Sequence, residues 1–113
     1  MPLLVRTRIT VYVPPEAAEA VLAGIHAVAR IPVGATYDHG AWFSGAWTEQ
    51  FRPLPGSHPA SGEIGRVNRA DSVRIEVLVD PDETEAVIAR GIRPHHPWDI
   101  PVILLDEVRL ALP

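Results

Sequence analysis

The chain has 113 residues, 47% hydrophobic and 21% charged, with a formal net charge of -4. That length predicts one domain over residues 1–113 with a core large enough to need no crosslinks. Cysteine and lysine are both absent, which excludes disulfides, thiolate catalysis, cysteine-held zinc or iron–sulfur sites, Schiff-base chemistry and a P-loop lysine.

All ten basic residues are arginines, and no basic run exists to neutralise phosphates, so nucleic acid and anionic membrane are not expected partners. No apolar stretch approaches the roughly 20 residues of a membrane span. The N-terminus lacks a signal-peptide profile, and the expectation is a soluble cytoplasmic protein.

The first element is a strand over Leu3 to Val13. Val5, Thr7, Ile9, Val11 and Val13 alternate with Arg6, Arg8, Thr10 and Tyr12, a period of two rich in β-branched residues. Pro14-Pro15 stops it and opens a helix, with Glu16 and Glu19 in the first turn where the helix dipole favours negative charge. Ala17, Ala18, Val21, Leu22, Ile25, Val28 and Ala29 then recur at spacings of three and four, ending before Pro32.

Thr36 to Trp47 carries Tyr37, Trp42, Phe43 and Trp47 among glycines and predicts a second strand broken by a bend or bulge. Pro53, Pro55 and Pro59 forbid a helix or central strand after it, so the segment reads as an ordered loop. A third strand is predicted over Ser72 to Val79. Asp80-Pro81-Asp82-Glu83 is a helix-start signal for a short helix ending at Gly91. A second proline-rich loop, Pro94 to Pro101, leads to a last strand from Val102 to Leu105 and on toward Leu110.

Strand, helix, strand, strand, helix, strand is the βαββαβ order of an α+β, ferredoxin-like fold. It places an antiparallel sheet under two helices that share one face. The other face is then uncovered although aromatic and aliphatic residues sit on several strands, so a second copy of the chain is expected to cover it.

The densest cluster of chemically capable side chains is His95-His96-Pro97-Trp98-Asp99. Its residue types suit zinc or copper, but the prolines prevent helical geometry and adjacent extended residues point apart. The structural reading is a rigid turn, with one histidine bonded to backbone, Trp98 as a packed anchor and Asp99 bonding nearby amides. The alternative is a metal shared between subunits with His58 or His39 of a neighbour. Gly56, Gly62 and Gly65 with Arg52 and Arg66 match no phosphate-loop pattern, and the arginines have Glu49 and Glu63 as available partners. Arginine remains the residue best suited to bidentate anion recognition, which keeps an anionic ligand open. No serine lies in a nucleophile-elbow context, so no catalytic residue is assigned.

Three segments carry a family resemblance: Val11-Tyr12-Val13-Pro14; Phe51-Arg52-Pro53 with Pro59 and Gly62-Glu63-Ile64-Gly65-Arg66; and His96-Pro97-Trp98-Asp99-Ile100-Pro101. Val33-Gly34-Ala35-Thr36-Tyr37-Asp38 adds to them. Together they resemble the PII-like insertion domain of the NGG-interacting-factor-three-like family, also called GTP cyclohydrolase I type 2-like, and its free-standing YqfO-type relatives. The third segment is similar to the family's His-Pro-Tyr-Glu-Glu-Pro motif, with Trp98, Asp99 and Ile100 replacing its three central residues.

The resemblance implies the fold shared by PII signal proteins and CutA, whose members commonly form trimers, so a homotrimer is expected ahead of a homodimer. The family's dinuclear metal centre lies in flanking domains, and none of its ligands carries over, nor does cyclohydrolase activity. The resulting expectation is a small oligomeric ligand-sensing or structural module taking a small anion at subunit clefts. Tyr37, Arg52, His58, Arg66, His96 and Asp99 are its candidate ligand-binding residues, with no cofactor and no metal ligand assigned. The alternatives are a CutA-type protein binding divalent metal and a degenerate hydrolase.

Overall fold

A computed structural model of the protein describes residues 2–113. Strands β1 (Leu3–Val13), β2 (Trp42–Phe51), β3 (Asn68–Val79) and β4 (Ile103–Ala111) form one sheet in the order β2-β3-β1-β4. Every neighbouring pair is antiparallel. β1 is central, pairing with β3 from Thr7↔Val79 to Val13↔Val73 and with β4 from Leu3↔Ala111 to Val11↔Ile103. Helix α1 (Ala18–Val28), entered through a 3₁₀ turn at Pro15–Ala17, and a second helix pack on one side. This is the ferredoxin-like α+β arrangement that the element order predicts.

The alternation in β1 and β3 builds the core. Ile9, Val11 and Val13 face Ile75, Val77 and Val79, all within 1% of complete burial, against Val21 and Ile25 of α1 and Val87 and Ile92 of the second helix. Each such side chain removed from water contributes about 1.5–3 kcal/mol before entropy is counted, so this apolar layer holds the sheet to the helices.

The second helix is less regular than its start signal suggests. Asp80 Oδ1 accepts the Asp82 N–H at 2.9 Å, capping a 3₁₀ turn at Pro81–Glu83. One α turn (Thr84–Ala86) follows, then a π-helical stretch (Val87–Ile92) and a 3₁₀ turn (Arg93–His95). The helical run therefore passes Gly91, the residue where a sequence reading ends it.

The second strand also differs from its expected bounds. Residues 34–36 form a turn, closed by Val33 N–H to the Tyr37 carbonyl at 2.9 Å, and after irregular backbone over 38–41 β2 begins only at Trp42. It then runs to Phe51, past Trp47, because a bulge between Ser44 and Trp47 restores pairing with β3. β3 accordingly starts at Asn68 rather than Ser72, and β4 starts at Ile103.

The two helices cross at glycines. A β-carbon added at Gly24 would overlap the Gly91 carbonyl oxygen and the His95 ring, and one at Gly91 would stand 3.0 Å from Ile25 Cα. A Gly24→Ala change should lose about 1–3 kcal/mol through overpacking, although alanine favours an exposed helix by about 1 kcal/mol. A urea titration reads this as a lower midpoint at unchanged slope.

Candidate functional site

The sheet face opposite the helices carries Arg6, Arg8, Thr10 and Tyr12 of β1 between Arg74 and Glu76 of β3 and Leu104 and Asp106 of β4. Trp42 and Trp47 of β2 share that face through their partners Glu76 and Ser72. Its central charges are already paired. Arg8 donates twice to Asp106, at 3.0 and 2.6 Å, and Arg74 lies 3.6 Å from Glu76 and 5.0 Å above the Trp47 ring. Tyr12 meets Trp47 edge-on at 6.1 Å between centroids, and Ser44 Oγ accepts the Trp47 indole N–H at 3.1 Å. Trp42, Trp47 and Leu104 nevertheless leave 54%, 40% and 52% of their surface to solvent.

A cavity of about 480 Å³ lies where the end of β2 meets the two proline-rich loops. One wall is Glu49 to Leu54 with Ser57 and Pro59 to Ser61, and the other is Trp98 to Ile100 with Val102. The first loop is braced within itself. Gly65 donates to the Pro53 carbonyl at 2.8 Å, Ser57 N–H and Oγ donate to the Leu54 carbonyl, and Asn68 bridges Glu63 and Arg66. It is joined to the second loop by His58 N–H, which donates to Asp99 Oδ2 at 2.8 Å.

His96 fixes the second loop to the sheet. It is 7% exposed; its Nε2 donates to the Tyr12 carbonyl at 2.7 Å, and its Nδ1 accepts the Trp98 N–H at 3.2 Å. One nitrogen giving and one taking defines a neutral imidazole. Burial pushes its pKa below the ordinary histidine value, against the opposing pull of the Tyr12 carbonyl. Trp98, half-buried, tilts against the His96 ring at 5.1 Å and presents the rest of its surface to the cavity.

The six sequence-derived residues divide by place. Arg52 and Asp99 line the cavity, His58 borders it through its backbone, and His96 supports it from beneath. Tyr37 stands apart, 76% exposed, in a hollow of about 380 Å³ in the turn where Arg30 pairs with Asp38. Arg66 also lies outside the cavity, paired with Glu63 at 3.2 Å. Glu49, Phe51 and Leu54 line the cavity but are not among those six; the sequence reading ends β2 at Trp47 and offers Glu49 only as a partner for the loop arginines. Among the described residues, no group of three histidine or carboxylate side chains is placed to hold a metal ion.

No family model matches the chain. It is 37% identical over 91 residues to the GTP cyclohydrolase 1 type 2 homolog of Mycobacterium tuberculosis, an alignment covering 80% of this chain and 23% of that protein. A Bacillus cereus protein related to NIF3 superposes on 96% of the chain and 27% of its own, with a TM-score of 0.76 and 22% identity. Over 80% of its length the chain is related to the GTP cyclohydrolase 1 type 2 homologs. CPII, a nitrogen regulatory PII-like protein from Thiomonas intermedia K12 bound to ADP, AMP and bicarbonate, matches 99% of both chains at a TM-score of 0.67 and 12% identity. The divalent cation tolerance protein Cut A1 of Thermus thermophilus covers 90% of this chain and 82% of its own at 0.61 and 14%. The chain thus spans under a quarter of the curated relative it matches. Among its described residues, no helix is long and apolar enough to cross a membrane.

His26 resembles His96 in one respect. Burial, and then the neighbouring His39 ring stacked on it at 4.4 Å, lowers its pKa. A histidine with a lowered folded value takes up its proton more readily when unfolded, so its contribution to stability is complete above the unfolded value and is lost as pH falls below it. The urea midpoint should therefore fall as pH drops from 7.5 through 6.5 toward 5, and His96→Gln should remove part of that dependence.

Proposed function

We propose that this PII-like domain is a non-catalytic, ligand-sensing module that assembles as a homotrimer through its uncovered sheet face and takes a small anion in the cavity beside Arg52. The observation that carries the ligand reading is Arg52, which lines the 480 Å³ cavity and whose guanidinium is paired with no carboxylate among the described residues. A free planar cation at the edge of an apolar cavity is suited to a phosphate or carboxylate group. CPII, which shares the fold, is bound to ADP, AMP and bicarbonate, all of them anions.

The assembly reading rests on the sheet face. Exposed Trp42, Trp47 and Leu104 favour being covered, at roughly 25 cal/mol for each Å² removed from water. Burial of charge usually opposes such covering, but Arg8–Asp106 and Arg74–Glu76 already satisfy one another within the protomer. Non-catalysis is supported by the two serines of the cavity: Ser57 donates to the Leu54 carbonyl, and Ser61 has no histidine among the lining residues to serve as its base.

Phosphate, bicarbonate, AMP and ADP should each be screened for a rise in melting temperature. A binder at a hundredfold excess over its Kd stabilises by about 2.7 kcal/mol, and Arg52→Ala should abolish the effect. An unchanged response in Arg52→Ala would remove Arg52 from the site. Light scattering after gel filtration should give a mass near three times the 12.3 kDa subunit, reduced by Trp47→Asp. A persistent single-subunit mass in the parent protein would sink the assembly.

A further inference from the structure

The segment after α1 is closed by side chains that neither the cavity nor the open sheet face uses. His39 stacks on His26 of α1, with ring centroids 4.4 Å apart and planes 29° from parallel. Both ring nitrogens of His26 are shut off from solvent and have no hydrogen-bond partner among the described residues. A buried imidazole normally bonds through at least one nitrogen, as His96 does. The His26 ring is held by packing instead, and the largely exposed His39 ring is its neighbour toward solvent.

The backbone that brings His39 there is strained. Ile31 and His39 have φ of 53° and 58°, a region that residues with a side chain rarely adopt, β-branched ones least of all. The fold-back is held by His39 N–H to the Arg30 carbonyl at 2.7 Å and by Gly40 N–H to the Ile31 carbonyl at 3.4 Å. Arg30 donates to Asp38 Oδ2 at 3.1 and 3.2 Å, and Asp38 Oδ1 meets His39 Nδ1 at 3.0 Å.

Among the described residues, the charges that face His26 come from this segment. His39 and Asp38 act on it directly, and Arg30, four residues along, is engaged by Asp38. The second helix meets α1 at Gly24 with Gly91 and His95, and the sheet beneath α1 is aliphatic. Burial first, and the His39 ring second, lower the His26 pKa against weaker pulls from the Ala29 backbone and Asp38. Asp38 stays ionised, because Arg30 and then His39 hold it below the ordinary carboxylate range. An imidazolium at His26 has no acceptor of its own and would face the His39 ring, protonated and drawn to Asp38, across the stack.

We propose that residues 37–40 form an acid-released clasp: when His26 and His39 both carry protons their rings part, and the clasp leaves the end of α1 while the core stays folded. Opening hydrates His26, frees His39 from its left-handed conformation and loosens the entry to β2 at Trp42. The sign follows from proton binding. His26 takes up a proton more readily in the open form than in the closed one. Each unit of falling pH below about 6.5 therefore raises the open-to-closed ratio by up to tenfold, until the lowered closed-state value is reached.

Proton NMR of the full chain between pH 7.5 and 5 tests the clasp. The His39 amide, corrected for its intrinsic exchange rate, should lose protection severalfold. Overhauser contacts between the His26 and His39 rings should fade, while cross-strand contacts between Val11 and Ile75 persist. His39→Phe keeps a flat ring over His26 that cannot be charged, and His26→Phe removes the buried titrating group. Either substitution should make protection at position 39 independent of pH.

A His39 amide whose protection ignores pH in the parent protein overturns the proposal. So does a loss that survives both substitutions. A loss that comes together with the Val11–Ile75 contacts also overturns it, because the domain is then unfolding as a whole. Melting curves show whether each variant folds, and where one does not, the other variant and the parent titration decide. These readouts are independent of any ligand in the cavity and of the number of subunits.

Discussion

The arrangement depends on β1, one of the two strands paired along both edges. β1 must satisfy β3 along one edge and β4 along the other, bury Ile9, Val11 and Val13 beneath the helices, and present Arg8, Thr10 and Tyr12 to the opposite face. A shift of one residue in its register would exchange these two sets and bring arginine into the core. The apolar set thus fixes the register, and the register sets where the strand ends. At that end the Tyr12 carbonyl receives His96 and the Tyr12 N–H donates to the Val102 carbonyl at 3.4 Å. The position of the cavity wall is therefore a consequence of core packing several residues earlier along the same strand.

The two sheet faces follow different energetic rules. The helix side is a dry aliphatic layer in which shape governs, down to the Gly24–Gly91 crossing that admits no side chain. The opposite side mixes indole rings with ion pairs that run across and along the strands. Such pairs contribute little to the stability of a lone protomer, since exposed ion pairs are typically worth less than about 1 kcal/mol. Their importance lies in what they permit: Arg8, Arg74 and their carboxylate partners can be covered without being stranded.

Much of the fold was legible in the sequence because the core strands obey simple periodicity. Ile9, Val11 and Val13, and Val73, Ile75, Val77 and Val79, recur at every second position, and Asp80-Pro81 announces its helix with a cap that the structure contains. Legibility failed where pairing outweighed local pattern. Gly45 and Ala46 break the alternation of β2, and only the β3 partner, through the bulge, shows that the strand continues to Phe51. Glu49 was invisible as a cavity residue for that reason. The prolines around His95–Asp99 correctly signalled a fixed loop, yet nothing local in sequence could show that Asp99 would meet the backbone of His58, 41 residues away. Tyr37 and Arg66 sit in segments that resemble the family as strongly as Arg52 does, but the turn and the loop tip carry them away from the cavity.

That single hydrogen bond between Asp99 and His58 gives the cavity a particular thermodynamic character. Its two walls come from distant parts of the chain, and each is braced separately, one by Asn68 and the other by His96. With the bond in place, the ordering of both walls is completed during folding and is not drawn from the free energy of binding. The breadth of the cavity is set in part by a contact one of whose members, Asp99, also lines it. The same bond also links the loop between β2 and β3 to the entry of β4, so a partner pulling on the loop tip would change the breadth of the cavity.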